Sequence, residues 1–161
     1  MPDKVPASEP ADGRRAASRS TREPTQVDAK LARMVEEVLL ASPVARTLGV
    51  NLVALEVDRA VLALPFKHEN VTLGDIVHGG VIATLIDVAG VAAAISGCAA
   101  EGFSGCATST LSISYLAPAK GAALRAEASA LRRSRRPAVA EVSVFADEVL
   151  VAKALATVAL F

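Results

Sequence analysis

The sequence predicts an α+β domain in which an antiparallel sheet of about six strands wraps around one central apolar helix. Three observations carry this prediction. The run at 77–96, VHGGVIATLIDVAGVAAAIS, has almost only small or aliphatic side chains, so as a helix it is apolar all round and must be enclosed. Two short alternating runs precede it and four strand-like runs follow it, the pattern of half-buried strands. Short turns separate those runs, which favours antiparallel neighbours in a meander. A sheet curling around the helix explains why the helix lacks a polar face.

Composition sets the bounds. Hydrophobic residues make up 52% of the 161, and basic and acidic residues cancel at 17 each. One domain with a sizeable core is therefore available, and nothing in the charge points to nucleic acid. Aromatics are only 3%, so the core is expected to be closely packed Ala, Val and Leu. Cys98 and Cys106, with His78 the one histidine near them in sequence, form neither a metal-ligand pattern nor a disulfide framework, which points to a reducing cytoplasm. The apolar run is long enough to span a membrane, and mean hydropathy is +0.42. Against that, an Asp at the centre of a span costs about 2.5–3.5 kcal/mol, and Ala and Gly offset little of it. No basic cluster flanks the run, so the expectation is a core helix and no membrane.

Residues 1–27 mix Pro, Ser, Ala, Arg and acids without helical or strand period, a composition that predicts a disordered tail. They contain no apolar stretch of the secretory kind, and their acids argue against a transit peptide. The folded domain is expected over 28–161. It begins with a helix: Leu31, Met34, Val35, Val38 and Leu39 lie at helical spacing after Asp28, a plausible N-cap. Ser42-Pro43 stops this helix, and Pro43 is placed to start a short second turn ending near Gly49. Asn51, Val53, Leu55 and Val57 then share one strand face and Ala60, Leu62, Leu64 and Phe66 another, with a hairpin turn at Asp58-Arg59. A polar loop over 68–75 delivers the chain to His78. Beyond the helix and a Gly-rich link at 97–105, strands are expected at about 106–116, 122–131, 138–145 and 149–160.

Two features of the central helix bear on chemistry. Gly79 and Gly80 at its start leave backbone N–H groups unpaired, with no Cβ to obstruct a ligand. Aided by the macrodipole, they suit a carbonyl oxygen that is becoming an oxyanion. The plainer reading is a tight turn where the helix packs close to a strand. Asp87 is a lone carboxylate in an apolar run. Low-polarity surroundings favour the protonated form of a carboxyl, which moves such a group towards general-base work. Capping or an interface arginine is the alternative. Gly80 and Asp87 lie seven residues apart, on one helix face but about 10 Å apart along the axis. They act on one carbonyl only if two copies of the helix run antiparallel across a two-fold axis, which makes two sites per dimer.

His78 finds no nucleophile motif of the G-x-S-x-G kind in the sequence, so a role in hydrogen-bonding its loop is expected. Arg132, Arg133, Arg135 and Arg136 flank Ser134 in a predicted hairpin turn. Such a cluster suits phosphates through forked hydrogen bonds, or it is a solvated turn that blunts a sheet edge. Lys120 is open to the same two readings.

HGGVIATLIDVAG at 78–90, followed by STLSISYLAPAK at 109–120, resembles the hotdog-fold acyl-CoA thioesterases, most closely the phenylacetic-acid-pathway type and more loosely the 4-hydroxybenzoyl-CoA thioesterases. The resemblance covers about 28–161. It implies a sheet wrapped around a central helix, a homodimer whose sheets join and often a dimer of dimers, and hydrolysis of an aromatic or medium-chain acyl-CoA with no metal or redox cofactor. On the matching positions, Asp87 would activate water or act as nucleophile, and the Gly79 N–H would polarise the thioester carbonyl from the other subunit. Thr108 would orient Asp87 or the water, and His78 and Gly80 would lie against the substrate. The arginine hairpin would meet the nucleotide end of CoA. One departure stands out: the family often has Asn or Gln about six residues before the His, where this chain has Thr72. Either the loop is longer and Asn70, two residues earlier, takes that role, or the role is absent. A non-catalytic acyl-CoA binder and a hotdog hydratase or dehydratase are the rival readings on the same fold.

Overall fold

The computed structural model describes residues 26–161; the tail expected at 1–27 lies outside the described residues except for its last two. Asp28 opens helix α1 (Ala29–Met34) by accepting the Lys30 N–H at 2.8 Å, and α1 runs on into a π turn at Val35–Leu39. Leu31 and Val35 are fully buried, whereas Val38 is 64% exposed, so the predicted apolar face is only partly a core face. Pro43 heads α2 (Pro43–Leu48), which stops at Gly49.

β1 (Asn51–Glu56) and β2 (Arg59–Leu64) form the expected hairpin. Ala60, Leu62 and Leu64 point into the core. The predicted face of β1 does not hold, because a bulge between Leu52 and Ala54 slips the alternation by one residue. Leu52 and Leu55 now pack on the core, while Val53 is exposed. A 3-10 turn at His68–Asn70 leads into a small ribbon, β3 (Val71–Leu73) with β4 (Ile76–Val77). Helix α3 (Gly79–Ser96) follows, then β5 (Cys106–Tyr115), β6 (Leu124–Arg133), β7 (Pro137–Ala146) and β8 (Val149–Leu160).

The six long strands form one sheet in the order β1-β2-β6-β7-β8-β5, every pair antiparallel. The expected four-strand meander is corrected here. β6, β7 and β8 do form one, but β5 pairs with β8 and not with β6. The link from β5 to β6 is too committed elsewhere to be a hairpin: the Ala119 carbonyl accepts from Val77 N–H at 2.9 Å, Lys120 bridges Ile76, and Ala119 is buried. The predicted arginine turn also narrows. Pairing continues through Arg132↔Val139 and Arg133↔Ala138, so those two arginines belong to β6.

α3 lies in the concave face of the sheet. Of its 18 residues, 67% are buried, so the one described helix long and apolar enough to cross a membrane is the core helix of a folded domain. Small residues let it sit close: a Cβ on Gly90 would be 3.1 Å from the Ala156 Cβ and 3.6 Å from Val142. On β7 the buried positions alternate as Ala138, Ala140, Val142, Val144 and Ala146, the period-2 pattern of a sheet with one face inside.

Candidate active site

The start of α3 is held from three directions. His78 is extended and caps the helix: its Nδ1 accepts the Gly80 N–H at 2.8 Å, and its carbonyl accepts the N–H groups of Val81 and Ile82. The first of these bonds corrects one expectation, because Gly80's N–H is not available to a ligand. Only the Gly79 N–H remains without an acceptor among the described residues. Tyr115, on β5, donates its hydroxyl to the Gly79 carbonyl at 2.8 Å. The peptide between Gly79 and Gly80 is thus gripped at both ends, by Tyr115 on its oxygen and His78 on its nitrogen. A Cβ on Gly80 would come 2.9 Å from His78 Nδ1, closer than the capping bond tolerates, whereas one on Gly79 would make ordinary contact with the Tyr115 ring at 3.4 Å.

The loop before His78 contributes Asn70. Its carbonyl accepts the His78 N–H at 2.8 Å, its side chain is buried, and its Nδ2 has no hydrogen-bond partner. Buried donors are nearly always satisfied, so this amide, unpartnered among the described residues, is an exception. Thr72 is exposed and lines a recess of about 410 Å³ together with Gly79 and Tyr115.

Two turns further along α3 is Asp87, half-buried, with Oδ1 accepting the Thr108 hydroxyl at 2.6 Å. Thr108 comes from β5, so one strand supplies both Tyr115 for the helix start and Thr108 for the carboxylate. Asp87 Oδ2 has no hydrogen bond among the described residues and borders a groove of about 480 Å³. Val91 and Ile95 of α3, the chain from Ser104 to Thr108, and Met34, Val38 and Leu39 line this groove. Exposed Val38 is therefore part of the groove rather than a misplaced core residue. Cys106 also faces the groove. Burial, then the charges of Cys98 and Asp87, push its thiol above the ordinary range. A raised thiol pKa means less thiolate at neutral pH, so Cys106 is a poorer nucleophile than a free thiol.

The two recesses share no lining residue. Gly79 and Asp87 are eight residues apart, about 12 Å along the axis, so the donor and the carboxylate of one chain do not converge on one carbonyl.

The arginines divide. Arg133 reaches inward: its guanidinium donates to the Ala94 carbonyl at 2.6 Å and to Cys98 Sγ at 3.2 Å, and pairs with Asp58 in the β1–β2 turn. It ties the last turn of α3 to the far edge of the sheet, which occupies it structurally. Arg132, Arg135 and Arg136 are exposed, as is Lys120. The sequence reading missed the part played by Tyr115. Its one available signal was that Tyr115 is the sole tyrosine of the chain.

A six-stranded antiparallel sheet around one helix, with a donor at the helix start and a carboxylate two turns on, is the hotdog architecture of the thioesterase type. The family profile described as the thioesterase superfamily matches residues 74–153. A protein of Saccharolobus solfataricus, provisionally named an esterase, is 31% identical over 125 residues, which are 76% of this chain and 87% of that protein. A thioesterase family protein from Silicibacter pomeroyi has a similar crystal structure, with TM-score 0.75 and 25% identity over 81% of this chain and 98% of its own. The phenylacetic acid degradation protein of Thermus thermophilus, in a mutant form, aligns with TM-score 0.66 and 27% identity over 74% of this chain and all of its own. The chain belongs to the thioesterase superfamily.

Proposed function

We propose that this protein is a cytoplasmic acyl-CoA thioesterase that acts as a homodimer, or as a dimer of such dimers. The observation that carries this reading is the division of parts along α3. One N–H without an acceptor stands at its start and one oriented carboxylate stands two turns on, in recesses that do not meet within a chain. The second edge of β5 supports the dimer, since among the described residues β5 pairs only with β8. Two such edges meeting antiparallel would lay two copies of α3 side by side in opposite directions.

In that dimer, Asp87 Oδ2 takes a proton from a water while Thr108 holds Oδ1. The water oxygen attacks the thioester carbonyl, and the Gly79 N–H of the partner subunit stabilises the oxyanion. Collapse breaks the C–S bond, and the proton on Asp87 passes to the departing CoA thiolate. In this reading the buried amide of Asn70 contacts the water or substrate. His78 and Gly80 shape the wall beside the substrate, and Arg132, Arg135 and Arg136 meet the phosphates of CoA, Arg133 being engaged in its clamp. The resemblance to the phenylacetic-acid type favours an aromatic or medium-chain acyl group.

Thiol release from a panel of acyl-CoAs tests the reading. The wild type should release thiol, and Asp87→Asn should lose about a hundredfold or more in kcat. A wild type inactive across the panel defeats the proposal; full activity in Asp87→Asn defeats the mechanism. Hydration of an enoyl-CoA in place of thiol release would move the chain to the hydratase reading.

A further inference from the structure

We infer that the groove beside Asp87 is a ruler for a straight acyl chain, graduated by Val91 and Ile95. This rests on the thioesterase reading only in placing the carbonyl carbon at Asp87. Asp87, Val91 and Ile95 all line the groove and recur every four residues, so they form one stripe along α3. At 1.5 Å per residue, Val91 lies about 6 Å and Ile95 about 12 Å beyond Asp87.

The start of β5 and the residues before it line the same groove: Thr108, bonded to Asp87, with Cys106 and Ser104. The stripe on α3 gives the groove its direction, along the helix axis. Met34, Val38 and Leu39 close the third side with apolar surface.

A zigzag of C–C bonds near 1.5 Å advances about 1.3 Å per carbon, so a chain reaching Ile95 has about nine or ten carbons. Ser104 is exposed at that end, so additional carbons pass into water and are not refused. The stretch of about 12 Å from Asp87 to Ile95 is longer than one aromatic ring fills, so a straight chain uses more of its apolar lining. The substrate class is thus a medium-chain fatty acyl thioester.

Binding of saturated acyl-CoAs from two to fourteen carbons to the folded Asp87→Asn protein, measured by calorimetry below their micellar concentrations, tests this without reliance on turnover. Affinity should rise up to about fourfold per methylene to nine or ten carbons and then level off. Val91→Phe added to this background should move the plateau to about five carbons, and Ile95→Phe to about eight; each variant is first checked for a native circular dichroism spectrum. Affinity independent of chain length in the parent protein overturns the ruler, as does tighter binding of phenylacetyl-CoA than of decanoyl-CoA. Plateaus that stay in place in both folded variants overturn the assignment of Val91 and Ile95. Failure of the thioesterase reading is seen separately, as absence of thiol release from the wild type.

Discussion

At the scale of single residues, the candidate site depends on how few polar groups are left unengaged. Asn70 Nδ2 has no partner in its buried position, so replacing Asn70 by Leu removes no hydrogen bond from that nitrogen. Asn70→Leu removes a buried donor whose lack of a partner costs about 1–3 kcal/mol, so it should leave unfolding free energy unchanged or raise it while lowering thioesterase turnover, a pair of results readable from urea denaturation and thiol release. Tyr115 acts through another group, since its hydroxyl grips the Gly79 carbonyl. Tyr115→Phe deletes one neutral hydrogen bond worth about 1 kcal/mol, so kcat should drop about fivefold with KM nearly unchanged. The cysteines give a pH-dependent expectation. Burial raises the thiol pKa of both Cys98 and Cys106, so the protonated form persists to higher pH than in an ordinary thiol. Alkylation of the native protein by iodoacetamide at neutral pH should be slower than that of the unfolded protein, and should accelerate only above the usual thiol range.

At the scale of elements, α3 is defined by its smallness as much as by its apolarity. Gly90 lets it approach β7 and β8 to the point where an added Cβ already meets Ala156 at 3.1 Å. Gly90→Val forces two further methyl groups into that contact, and overpacking of this kind costs about 1–3 kcal/mol, measurable as a lower urea midpoint. β5 is the second defining element. It carries Thr108 near one end and Tyr115 at the other, so its register on β8 sets both half-sites at once. Much of this was legible in the sequence: the N-cap at Asp28, the Pro43 start, the stop at Gly49 and the apolar helix are all local patterns, and all are present. The slip in β1 was not, because the bulge before Ala54 adds a residue without leaving any signature in the alternation of side chains.

At the scale of the whole molecule, the proposed site is completed only between chains, and mixing variants tests that directly. Gly79→Pro removes the N–H at the first helical position, where proline is well accommodated. The extended backbone of His78 satisfies the restriction on a residue before proline. Gly79→Pro and Asp87→Asn should each be inactive alone. Unfolded together and refolded at equal ratio, they should recover about a quarter of wild-type activity, since half the dimers are mixed and each mixed dimer has one intact site of two. A mixture no more active than its parents would place the whole site in one chain. What the sequence determined by itself is the equipment of α3: a glycine start, a carboxylate two turns on and a surface that must be enclosed. These follow from residue type and helical period, which act over a few residues. The tertiary structure alone decided that β5 leaves β6 for β8, that Arg133 turns inward to Asp58 and that Tyr115 closes on Gly79. It likewise decided that α1 walls the groove beside Asp87. Each of these joins residues far apart in the chain, and such pairs are selected by which surfaces and hydrogen-bonding groups can be satisfied together, a condition that no local pattern records.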